Sequence, residues 1–145
     1  MPRRTLTSRR GTGGTAASSP EMSAASPPEV ILDVLFEDGL FFLAVRNISA
    51  LPAHNVSVRF EDRILGLQDR DVSALPLFRG IEFLAPGREI RTFLDTSASY
   101  FARRQPTRIT VKIAYKDAGG RRYTRTIRHD LEIYRDIGYV RKTAE

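Results

Sequence analysis

Residues 108–133 read RITVKIAYKDAGGRRYTRTIRHDLEI, and this stretch decides the fold. Ile109, Val111, Ile113 and Tyr115 alternate with Arg108, Thr110, Lys112 and Ala114, a period of two that belongs to a strand with one buried and one solvated face. Lys116 to Gly120 makes a turn with glycine available for the left-handed position. The returning strand is expected over Arg121 to Ile133, with Tyr123, Ile127, Leu131 and Ile133 on one face. That length exceeds the usual strand, so a bulge or bend is predicted near Arg125 or His129.

The same period recurs upstream. Val30, Leu32, Val34 and Phe36 share a face opposite Asp33 and Glu37, and Asp38-Gly39 turns the chain into a partner strand over Leu40 to Val45, buried on both faces for part of its length. Asn47 to Pro52 interrupts. A third strand over Asn55 to Phe60 directs Val56, Val58 and Phe60 inward and Ser57 and Arg59 outward. Residues 61–76 lack a steady period and read as a loop with one short strand or helical turn. A strand over about Phe78 to Leu84 meets Ala85-Pro86-Gly87, a type II turn signal, after which Glu89 to Asp95 returns antiparallel. Thr96 to Pro106 accommodates a short helix anchored by Tyr100 and Phe101 and stopped before Pro106.

Seven strands with closely spaced turns and no βαβ alternation predict an all-β, immunoglobulin-like antiparallel sandwich over residues 30–135. Residues 1–29, rich in Ser, Ala, Gly, Pro and Arg, read as a disordered basic tail, and residues 136–145 as a C-terminal extension. Ile133 to Val140 stays apolar after the sandwich is complete, and is expected to pack back on the domain or to pair with another copy.

Cysteine is absent from the 145 residues, which excludes a thiol nucleophile, a disulfide framework and Cys-based metal sites. The longest apolar run, Leu40 to Val45, is far short of the roughly 20 residues a spanning helix needs, so no integral membrane segment is expected. Arg3-Arg4 and Arg9-Arg10 precede Gly11-Thr12-Gly13-Gly14 rather than an apolar stretch. No secretion signal is read there, and a cytoplasmic or virion-associated location is expected.

Charge is uneven. Residues 31–100 hold seven basic and ten acidic side chains, whereas residues 101–145 hold twelve and five. His54 and His129 stand far apart without ligands at metal spacing, and Asp69-Arg70-Asp71 lacks the frame of a calcium loop. The serines lack a Gly-x-Ser-x-Gly elbow and no phosphate-binding glycine loop occurs, so no enzyme, cofactor, metal or small-molecule substrate is expected. The candidate binding face is the outside of the last hairpin: Arg108, Thr110 and Lys112 on one strand, Arg122, Thr124, Thr126 and Arg128 on the other. Such a face would dock an acidic protein or a phosphate backbone.

Asn47-Ile48-Ser49-Ala50-Leu51-Pro52-Ala53-His54-Asn55-Val56-Ser57-Val58, followed by Leu84-Ala85-Pro86-Gly87, resembles the bacterial immunoglobulin-like domains of the CARDB (cell-adhesion-related) type. In those domains a similar loop joins the second and third strands, and a Leu-x-Pro-Gly turn follows the fourth. Ser49 stands where their loop usually carries glycine. The resemblance implies a β-sandwich fold. A rigid scaffold with a charge-polarised surface and no activated residues makes the expected function a non-catalytic protein interaction or self-association module. The alternatives are a structural subunit of a virion-type assembly and non-specific nucleic-acid binding through the basic C-terminal half.

Overall fold

The computed structural model describes residues 26–135 and 137, so the expectations for the tail before residue 26 and for most of 136–145 lie outside the described residues. Seven strands form, β1 (Val30–Glu37), β2 (Leu40–Asn47), β3 (Ala53–Phe60), β4 (Ile81–Leu84), β5 (Glu89–Thr96), β6 (Arg108–Lys116) and β7 (Arg122–Asp130). They make a three-stranded sheet in the order β1-β2-β5 and a four-stranded sheet in the order β4-β3-β6-β7. All pairings are antiparallel. This is the expected sandwich. Relative to the constant-type immunoglobulin arrangement, the fourth strand has moved to the other sheet.

The inward rows meet in one core. Val30, Leu32 and Val34 of β1, Phe41, Leu43 and Val45 of β2, and Ile109, Val111 and Ile113 of β6 are all buried. Asp38 and Gly39 both take positive φ (51° and 78°), the two-residue turn whose twist suits a hairpin. At the far hairpin Gly120 takes φ 90°, and the Asp117 carboxylate accepts from the amides of Gly119 and Arg121 (both 2.9 Å). The Arg121 amide bond holds the Asp117 pKa below the ordinary carboxylate value.

Three expectations need correction. First, β4 and β5 do not pair: the Ala85-Pro86-Gly87 turn forms as read, with Gly87 at φ 75° and Arg88 N donating to Ala85 O (3.0 Å), but it carries the chain from one sheet to the other. Turn chemistry reverses the chain locally; it does not choose the ladder. Second, the strand leading into that turn starts at Ile81, because Pro76–Arg79 form a helical turn that buries Phe78 against Phe60 (ring centroids 4.9 Å). Third, β7 ends at Asp130 and has no bulge, its register with β6 being continuous from Arg122 to Asp130. Asp130 accepts from Glu132 N (3.0 Å) and starts a 3-10 turn over Leu131–Tyr134. That turn buries Leu131, packs Tyr134 on Phe36 and Phe41, and leaves Ile133 63% exposed rather than in the inward row.

Residues 61–75 hold two 3-10 turns, Leu67–Asp69 and Val72–Ala74, joined by a bridge between Leu65 and Asp71. Gly66 lies so close to the Leu94 carbonyl and the Val72 side chain that no Cβ fits.

Asn47 ties the β2–β3 loop to the β4–β5 turn. Its Nδ2 donates to the carbonyls of Leu51 (2.8 Å) and Leu84 (3.0 Å), and its Oδ1 accepts from the amide and hydroxyl of Ser49. Asn47→Ala strands these buried groups, and the expected loss is about 2–3 kcal/mol, read in urea as a lower midpoint at unchanged slope.

Candidate functional site

The seven residues expected on the last hairpin do come together on the outer face of the four-stranded sheet. Thr110 stands opposite Arg128, and Lys112 opposite Thr126. Ala114 faces Thr124, and Lys116 faces Arg122. Arg108 meets Asp130, an acid that the expected face did not include. Strand β3 extends the rows, with Arg59 opposite Lys112, Ser57 opposite Ala114 and His54 opposite Lys116. The hairpin alone suggested none of the three. Arg59 was expected to point outward, but its neighbour is more than fifty positions away in sequence, and only the β3–β6 ladder brings them side by side.

The floor of the face is small. Ser57, Ala114 and Thr124 form its central row, and a shallow hollow lies on either side. One, about 310 Å3, is lined by Arg59, Glu61, Thr110, Lys112 and Thr126 among others. The other, about 290 Å3, is lined by Asn55, Ala114, Lys116, Arg122 and Thr124 with two tyrosines. Asn55 is positioned there by a bulge between His54 and Ser57, where it takes φ 51°.

Two cross-strand pairs on this face are like-charged, Arg59 with Lys112 and Lys116 with Arg122. Directly opposed like charges destabilise a sheet. Among the described residues, none of these four side chains, nor Arg108 or Arg128, lies within ion-pair distance of a carboxylate. The outer face of the other sheet is the opposite case. There Arg46 pairs with Asp33 (3.1 Å) and Glu89 (3.5 Å), and Arg91 pairs with Glu37 (3.3 Å) and Glu89 (2.8 Å) while lying over the Phe42 ring. One face neutralises its own cations; the other leaves them available.

The two histidines make different contacts. His129 Nε2 contacts the Leu32 carbonyl (2.8 Å), and the Arg125 guanidinium binds the Glu29 carboxylate, so both side chains of β7 reach across to the β1 side of the sandwich. His54 stacks edge-on to Phe83 (5.4 Å). Asp71 accepts from the Ser73 hydroxyl (2.6 Å), and Asp69 stands 3.8 Å from Arg103. Among the described residues no group of three or more potential ligands converges on a metal-sized site, and no helix is long and apolar enough to cross a membrane.

No curated protein and no solved structure matches the chain. A family model does match, over residues 7–135, a span that takes in every described strand; its description is "Domain of unknown function (DUF8453)".

Proposed function

Because the chain belongs to the DUF8453 family, whose description names no activity, its role has to be read from its own surface, and we propose a non-catalytic interaction module that docks an acidic protein partner on the outer face of the four-stranded sheet. The observation that carries this reading is the pair of like-charged cross-strand contacts, Arg59–Lys112 and Lys116–Arg122, held over a floor of Ser, Ala and Thr. A local rule broken without an internal counter-ion is expected where an external one completes the site. Carboxylates arriving from a partner relieve both repulsions at once, and the cationic field speeds their encounter. Kinship with CARDB-type domains belongs to the same proposal. Its support is that Asn47 joins the two motifs on which the resemblance rests.

Poly-L-glutamate is a suitable probe. It is expected to bind with an affinity that falls as salt rises, and the double variant Lys112→Glu/Arg122→Glu is expected to weaken it at least about tenfold. The same variant converts both like-charged pairs into attractive ones, so its melting temperature holds or rises. Binding indifferent to the double reversal overturns the proposal. A short DNA duplex that binds the wild type more tightly than polyglutamate, with a steep salt slope, replaces the acidic protein with a phosphate backbone.

A further inference from the structure

The outer face is bounded by β7, an edge of its sheet, and the backbone of that edge can be assigned residue by residue. The Thr110 carbonyl accepts from Glu61 N (2.9 Å), toward β3, whereas the Thr107 carbonyl accepts from Leu131 N (2.7 Å), toward β7. In a strand the N–H and C=O of one residue point the same way, and successive residues alternate. Ile109, Val111, Ile113 and Tyr115 therefore address β7. Their register partners His129, Ile127, Arg125 and Tyr123 address β6 in return. What remains is Arg122, Thr124, Thr126 and Arg128, whose N–H and C=O groups turn to the open edge. No described backbone or side-chain group bonds to them. The residues with free backbone are those whose side chains stand on the outer face.

We propose that β7 receives an extended acidic segment of the partner as an added strand, an inference that rests on the docking face proposed above. Among the edges this one is best suited. Strand β4 has only four residues, β5 carries a register shift against β2, and the Leu32 carbonyl of β1 is occupied by His129. Strand β7 contains no proline, glycine or bulge over its length. A second copy in the antiparallel β7–β7 pair centred on Arg125 sets Arg122 against Arg128 at both ends, whereas an acidic segment meets both arginines with carboxylates. A partner strand with acidic residues at two positions six apart places one carboxylate beside each arginine. Between them, opposite Thr124 and Thr126, small or β-branched residues pack best. Main-chain bonds to the four free residues supply affinity, and the two carboxylates supply register.

A labelled peptide EVTVTVE tests this against its basic counterpart KVTVTVK. The acidic peptide is expected to bind and the basic one not, with the amides of Thr124 and Thr126 becoming protected from hydrogen exchange. Thr124→Pro removes an N–H that β6 does not use, so the sandwich survives, and peptide affinity falls about tenfold or more while Thr124→Ala leaves it nearly unchanged. Should the proline variant fail to fold, the peptide itself carries the test. N-methylation at its Thr residues, whose N–H groups face β7, abolishes binding, and N-methylation at its Val residues does not. A peptide that fails to bind, or binds without amide protection and regardless of which residues are methylated, overturns strand addition. In either case, polyglutamate binding that still responds to Lys112→Glu/Arg122→Glu leaves the docking face standing, and loss of both removes both readings.

Discussion

Asp95→Ala is expected to destabilise the sandwich by roughly 3–5 kcal/mol, the largest effect of any single charge removed from it. Asp95 is fully buried although it lies in a strand. The cause is the register shift of β5 against β2, where Phe41 pairs with Asp95 but Phe42 pairs with Phe93, so that Leu94 and Asp95 both turn inward. The carboxylate accepts from Arg103 at Nη2 (2.5 Å) and Nε (3.2 Å) and from Thr96 N (2.8 Å). Arg103 passes the contact on, donating to the Leu65 carbonyl (3.0 Å) and lying over the Tyr100 ring (5.8 Å). Tyr100, whose hydroxyl donates to Pro106 O (2.5 Å), is buried deeply enough that its pKa is raised well above the ordinary tyrosine value. The pair thus fastens the Ser97–Ala102 helix and the irregular 61–75 segment to the sheet. Alanine leaves a largely sheltered guanidinium with only the exposed Asp69 carboxylate, 3.8 Å away, as counter-charge. The double variant Asp95→Leu/Arg103→Met removes both charges and is expected to cost less than Asp95→Ala alone. Urea denaturation of the three proteins checks both statements.

Phe41→Ala is expected to cost a similar 3–5 kcal/mol, for a different reason. Phe41 is fully buried at the centre of an aromatic cluster, with ring centroids 5.3 Å from Phe36, 5.7 Å from Tyr134, 5.8 Å from Phe101 and 5.9 Å from Tyr100. Its removal opens a cavity lined by four rings on three separate segments, which cannot all close in together. The next residue provides the comparison. Phe42 points out of the sheet, meets Phe93 (5.7 Å) and is partly covered by Arg91. Phe42→Ala is expected to cost only about 1 kcal/mol. Equal losses for the two would contradict the placement of the core on one side of β2.

The parts of this fold that could be read in advance are those in which one face is wet. The alternation of β1, β3 and β6 shows in the sequence because water selects the polar row and the core selects the other. The turns at Asp38-Gly39, Pro86-Gly87 and Gly119-Gly120 show because few residues adopt positive φ. Leu131 and Ile133 prolong the alternation in the sequence past Asp130, whose side chain caps the following turn and ends the strand. Residues 61–75 showed no period because they have none. Their conformation is set by distant partners, Arg103, Gln105 and Leu94.

The outward row of the last hairpin, from Arg108 to Arg128, was determined by the sequence itself, since adjacent strands joined by a tight turn have little choice of partner. The entry of Arg59 beside Lys112, the transfer of β4 and β5 to different sheets and the burial of Asp95 were decided only by the tertiary structure. Ladder hydrogen bonds are chemically the same between any two strands. Which strands share a sheet, and where a bulge turns a carboxylate inward, follows from the summed burial of both sheets, a quantity that no local stretch of sequence contains.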